Sequence, residues 1–151
     1  YEISFEPGRY LIAKAGALIT TIITTKINGG INYLITDAGM HSLIRPALYN
    51  AHHDIEAVSI ESNSECEYSI AGPICESTDV FRKSVNLPKQ NIGNKLIIKD
   101  AGAYGAVMSS NYNSHGLPAQ ILVSGKSFNT IHKPKEIEDY INEDFIPNWL
   151  I

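Results

Sequence analysis

Apolar and polar residues alternate through Tyr1-Glu2-Ile3-Ser4-Phe5, a period of two that predicts a strand ended by the turn-forming Glu6-Pro7-Gly8-Arg9. The period then lengthens. Leu11, Ile12, Ala15, Leu18, Ile19 and Ile22 recur three and four positions apart among alanines, so a helix is expected from Tyr10 to about Thr21, where the β-branched run Thr20 to Thr25 takes over. Two β-rich arms, Ile22 to Asn28 and Ile31 to Thr36, flank Gly29-Gly30 and predict a hairpin. Strand-like alternation returns from Asp54 to Ile70, with Cys66 inside it as a packed or edge thiol. Val80-Phe81 leads into a polar connection through Pro88, Asn91, Gly93 and Asn94, and Ala119 to Ser124 reads as the last strand. Pro134 opens an amphipathic helix to about Phe145, closed by Pro147. The pattern is that of one β-rich domain, residues 1–151, with several short helices.

One tripeptide occurs twice. Asp37-Ala38-Gly39 and Asp100-Ala101-Gly102 each follow a β-rich run and precede a stretch of helical character, Met40 to Tyr49 and Ala103 to Ser109. The aspartates are candidate helix caps and the glycines candidate positive-φ positions. Such strand ends are places where ligands are met, and a repeated turn without a ligand gives the same pattern.

Composition narrows the function classes. Twelve basic against sixteen acidic residues give a net charge of -4 with no basic stripe, which argues against nucleic acid as a partner. No apolar run approaches the roughly 20 residues of a membrane span, and no charged-then-apolar leader opens the chain. Cys66 and Cys75 form neither a CxxC pair nor a secreted framework, so a reducing, cytoplasmic setting is expected. The chain opens at Tyr1 inside a strand-like run, as expected of a piece of a longer protein.

Candidate chemistry gathers on Gly72-Pro73-Ile74-Cys75-Glu76-Ser77-Thr78-Asp79, where a turn carries a thiol, two carboxylates and two hydroxyls; a polar turn is the plainer reading. Arg45 and Tyr49 share a helical face, a spacing that suits a carboxylate clamp and also occurs on ordinary surfaces. Gly8 permits close approach of a ligand to the main chain, while Glu6 and Arg9 equally form a local ion pair. Tyr104 stands between small residues, where a bulky group has access. Adjacent His52 and His53 lack partners at ligand spacing, and no metal site is expected.

As an ordered set, Glu6-Pro7-Gly8-Arg9, Asp37-Ala38-Gly39-Met40, Ile44 to Tyr49, Gly72-Pro73 with Cys75-Glu76-Ser77 and Asp79, and Gly102 to Gly105 resemble the C-terminal domain of the diaminopimelate decarboxylases. The resemblance covers nearly the whole chain. It implies the Greek-key-like β-barrel or sheet domain of the alanine racemase and ornithine decarboxylase fold type. It also implies pyridoxal 5'-phosphate, bound through a Schiff-base lysine on an N-terminal (β/α)8 barrel of which nothing is seen here. Lys14 is not that lysine. By resemblance, Glu6, Pro7, Gly8, Arg9 and Tyr104 would bind the cofactor. Arg9, Arg45, Tyr49, Glu76 and Tyr104 would bind meso-diaminopimelate, Arg45 and Tyr49 at its distal carboxylate and Glu76 at its distal ammonium. Cys75 would return a proton to the α-carbon, its loop reaching the partner's site in a homodimer.

The resemblance implies decarboxylation of meso-2,6-diaminopimelate to L-lysine, with the chain inactive without its barrel. An ornithine- or arginine-type decarboxylase is the alternative, disfavoured by Glu76 where aspartate is expected and by a clamp for a carboxylate those substrates lack. A noncatalytic dimerisation module is the other, and the joint presence of Cys75, Glu76, Arg45 and Tyr104 weighs against it. His41-Ser42, His115 and Gln120 depart from the family's pattern outside the motifs.

Overall fold

A computed structural model describes residues 1–60 and 63–150, which divide into two compact units, Tyr1–Ser109 and Ser110–Ile151. The first unit is built on a six-stranded sheet. Its strands are β1 (Leu18–Asn28), β2 (Ile31–Thr36), β3 (Ile55–Ala57), β4 (Glu65–Ala71), β5 (Val80–Pro88) and β6 (Lys95–Ile98), in the spatial order β3-β6-β1-β2-β4-β5. Neighbours run antiparallel except β2 and β4, which are parallel. The outer strands β3 and β5 approach each other, so the sheet nearly closes into a Greek-key-like barrel. Its interior is filled by Ile22, Leu34, Leu43, Ile70, Leu96 and Ile98, each fully buried. Each such side chain contributes about 1.5 to 3 kcal/mol by leaving water.

The hairpin forms because Gly29 and Gly30 both take positive φ, 57° and 80°, the geometry a two-residue turn needs to match strand twist. The helix expected from Tyr10 to Thr21 is shorter. Only Arg9–Ile12 (α1) is α-helical, a 3-10 turn covers Ala13–Ala15, and Leu18 to Thr21 lie in β1, paired with β6 from Leu18↔Ile98 to Thr21↔Lys95. Leu18, Ile19 and Ile22 satisfy both periods, and the available strand partner decides between them.

Tyr1 to Phe5 form no strand: the alternation is present, but no strand among the described residues pairs with it, and Ile3 and Phe5 stay exposed. The polar connection after Phe81 is the long strand β5, whose Lys83 and Ser84 face solvent while Phe81 and Leu87 are buried. Within the Asp54 to Ile70 run, β3 and β4 are separate strands, and residues 61 and 62 lie outside the described residues. Cys66 is half-buried against the core.

The second unit contains the hairpin of β7 (Gln120–Ser124) and β8 (Ser127–His132), the latter unexpected from the pattern, and a bridge between Leu117 and Lys135. Its helix, α3, spans only Ile137–Ile141, started by a reciprocal capping box between Glu136 and Asp139. Among the described residues no helix is long and apolar enough to cross a membrane.

Candidate functional site

Arg45 begins the short helix α2 (Arg45–Tyr49), with Pro46 favouring helical φ at the next position. Arg45 is 8% exposed, and its guanidinium stands 5.6 Å from the Tyr49 ring centroid, as four-residue helical spacing allows. Tyr104 arrives from a distant segment to place its own ring 5.7 Å from Arg45. Two aromatic faces thus flank a largely buried cation with which no carboxylate among the described residues pairs. A buried guanidinium in this condition favours an anionic partner.

Gly8 lies beside the same group: a β-carbon there would stand 3.7 Å from the Tyr104 hydroxyl. Arg9 follows on α1 and forms no ion pair with Glu6 among the described residues. Arg9 and Arg45 both line a cavity of about 580 Å³, together with Tyr10, Lys14, His52, His53 and Asp100. Sequence reasoning placed Lys14, His52 and His53 in no binding role and read Asp100 only as a candidate helix cap. His53 is 3% exposed and its Nδ1 lies 2.8 Å from the Lys99 carbonyl oxygen, which makes Nδ1 the protonated nitrogen. His52 sits between Asp54 (2.8 Å) and Arg82, and its hydrogen bond to Asp54 holds that carboxyl below its ordinary range. Among the described residues no group of three His, Cys, Asp or Glu could hold a metal ion.

The second part of the candidate site is the loop from Gly72 to Asp79. Cys75 is exposed. Glu76 accepts hydrogen bonds from the Thr78 amide and the Ser77 and Thr78 hydroxyls, each at 3.2 Å, and the Thr78 amide above all lowers its pKa. The stability linked to this shift is present above the ordinary carboxylate pKa and is lost as pH falls through the lowered value. Cys75 and Glu76 are not among the residues lining the cavity of Arg9 and Arg45.

Asp79 turns inward instead, 3% exposed, accepting the amides of Met40 at 2.7 Å and Ile74 at 2.8 Å. Its inward direction has no signal in the sequence beyond the small residues Gly39 and Gly72 that make room for it.

The Asp-Ala-Gly turns cap no helix. Asp37 bonds to the Thr20 hydroxyl at 2.5 Å and the Thr21 amide at 2.9 Å on strand β1. In the second turn Asp100, not Gly102, has the positive φ of 58°. Gly39 and Gly102 are needed for close approach: a β-carbon at Gly39 would fall 2.7 Å from Asp79 Oδ2, and one at Gly102 would overlap the Ile12 carbonyl.

A barrel-like sheet carrying its candidate motifs on the connecting segments defines a class, and the family model of the pyridoxal-dependent decarboxylase C-terminal sheet domain matches residues 9–102. The chain belongs to that family. More particularly, it is 40% identical over 149 residues to diaminopimelate decarboxylase of Zymomonas mobilis, covering 99% of this chain and 35% of that protein. It is also 40% identical over 152 residues to that of Archaeoglobus fulgidus, covering 99% and 36%.

The diaminopimelate decarboxylase of M. jannaschii, solved in co-complex with L-lysine, superimposes with a TM-score of 0.92 at 39% identity over 97% of this chain and 33% of that one. A viral arginine decarboxylase, 20% identical with a TM-score of 0.66 over 72% of this chain and 31% of that one, shares the fold. The chain spans about a third of the length of the curated relatives it matches.

Proposed function

We propose that this chain is the C-terminal sheet domain of a pyridoxal-phosphate-dependent diaminopimelate decarboxylase. In this reading it holds meso-2,6-diaminopimelate and returns a proton during conversion to L-lysine and carbon dioxide. The observation that carries it is Arg45, a buried guanidinium between Tyr49 and Tyr104 on a cavity shared with Arg9. The substrate's distal carboxylate supplies the anion such a group favours, and a two-pronged contact orients it. Glu76, kept anionic by its own loop, accepts the distal ammonium.

The donor set also fits the cofactor. The Glu6-Pro7-Gly8 turn, with the Tyr104 hydroxyl in ordinary contact distance of a β-carbon at Gly8, and the Arg9 cation suit a phosphate ester and its ring, and the lysine that anchors the cofactor belongs to the barrel outside this chain. When bound, pyridoxal phosphate supplies an electron sink for the carbon that carbon dioxide leaves. The thiol of exposed Cys75 holds the proton that this carbon takes up, and its loop serves the partner subunit's site in a homodimer. A reducing cytoplasm keeps that thiol free.

The test is lysine formation from diaminopimelate by the chain with pyridoxal phosphate, with and without its separately expressed barrel segment, ornithine and arginine serving as competing substrates. Activity only in the mixture, and only on diaminopimelate, is expected. In the full-length protein Cys75→Ala should lower kcat at least 100-fold with little change in KM. Unchanged turnover would remove Cys75 from the chemistry.

A further inference from the structure

We infer that Asp79 is a positioning residue that fixes the Cys75–Glu76 loop to the turn leading into Arg45, so that the thiol loop and the arginine helix of one chain move as one; this rests on the functional reading just given. Asp79 closes the loop with main chain and side chain together. Its carbonyl accepts the Gly72 amide at 3.0 Å, and its amide donates to the Glu76 carbonyl at 3.1 Å. Its carboxylate then reaches in two directions. Oδ2 accepts from Ile74, the residue before Cys75, and Oδ1 accepts from Met40.

From Met40 the chain turns through Ser42 and Leu43, whose amides both donate to the Gly39 carbonyl, and enters α2 at Arg45. One carboxylate therefore links the thiol loop to the arginine helix. The packing leaves no slack: a β-carbon on Gly39 or Gly72 would press into the Asp79 carboxylate. Ile74 is 6% exposed, so its amide has no easy recourse to water, and exposed Cys75 takes its direction from that pinned neighbour.

Asp79→Asn tests the inference because an amide keeps the size of the carboxylate while offering one acceptor oxygen to two amides. In this 151-residue chain, the Ile74 or Met40 amide should exchange about tenfold or more faster, and the Glu76 carboxyl should titrate closer to the ordinary value by carbon-13 NMR, while Leu34 and Phe81 keep their protection. In the full-length enzyme, kcat should fall and KM for diaminopimelate should rise together, since thiol and glutamate are both displaced. A residue that merely stabilised the fold would lower the active fraction at unchanged KM.

Unaltered loop exchange and Glu76 titration would overturn the inference. Should the variant not fold, the wild-type chain decides: an Ile74 amide protected at least about tenfold beyond that of Cys75 supports it, and equal exchange overturns it. If Cys75→Ala and Glu76→Gln leave turnover intact while Asp79→Asn still loosens the loop, the functional reading fails and the positioning role stands.

Discussion

The two Asp-Ala-Gly turns share a sequence and almost nothing else. At 37–39 the aspartate side chain ties the end of β2 back to β1, bonding Thr20 and Thr21, while the Thr20 hydroxyl accepts the Ala38 amide at 3.0 Å. Gly39 then closes against the Asp79 carboxylate. At 100–102 the aspartate instead takes a left-handed backbone conformation and lines the cavity of Arg9 and Arg45, and the turn is held by main-chain hydrogen bonds. Ala101 donates to the Gly16 carbonyl at 2.8 Å and Gly102 to that of Ala13 at 3.0 Å. A short motif defines a turn; the segments packed against it decide which atoms bear the load.

The comparison breaks most readily at Gly39. Gly39→Ala places a methyl group into the space of Asp79 and Pro73, both parts of the candidate site, and should destabilise the first unit by about 3 kcal/mol, read by chemical denaturation. A loss below about 1 kcal/mol would mean that the loop yields and that Asp79 is not held as tightly as its neighbours imply. Asp37→Ala should cost about 1 to 2 kcal/mol, because the Thr20 hydroxyl, 2% exposed, loses its acceptor and the Thr21 amide loses one of its partners. Asp100→Asn, which keeps a residue that tolerates the left-handed backbone, should cost clearly less; equal losses would erase the distinction between the two turns.

Much of the sheet was legible because its signals are local. Gly29-Gly30 between two apolar arms leaves little choice but a hairpin, and the β-branched run of β1 reads as a strand. Where one apolar set serves two periods, as at Leu18, Ile19 and Ile22, sequence alone cannot say that β6 will capture it. Strand β5 was hidden for a related reason: its middle faces solvent, and the register shift between Tyr68 and Ile70 on its partner interrupts the alternation. Strand β8 follows β7 across a tight turn at Gly125, φ 59°, with its whole length exposed, so no inward-facing pattern announced it.

In the candidate site, Arg45 with Tyr49 was readable from helical spacing. Tyr104 meeting the same guanidinium, and Asp79 pointing inward rather than outward, depend on contacts between segments far apart in sequence.

The smallest expected effect sharpens the comparison furthest. Asp100 holds φ of 58° without a glycine's freedom, so Asp100→Gly should stabilise the folded chain by about 0.5 kcal/mol, the relief of left-handed strain being partly offset by the entropy a glycine gains when unfolded. The same substitution removes a carboxylate from a cavity rich in cations, which acts in the opposite direction by exposing Arg9, Lys14 and Arg45 to one another. Asp100→Asn separates the two effects, since asparagine tolerates the left-handed region and carries no charge. The difference in stability between the glycine and asparagine variants then isolates the backbone contribution, and its salt dependence should be negligible. The difference between asparagine and wild type isolates the charge and should shrink as salt is added. If the asparagine variant is as stable as wild type at low salt, Asp100 is there for its backbone alone. If it is less stable, the second turn also neutralises the arginines that line its cavity, whereas the aspartate of the first bonds Thr20 and Thr21 on β1.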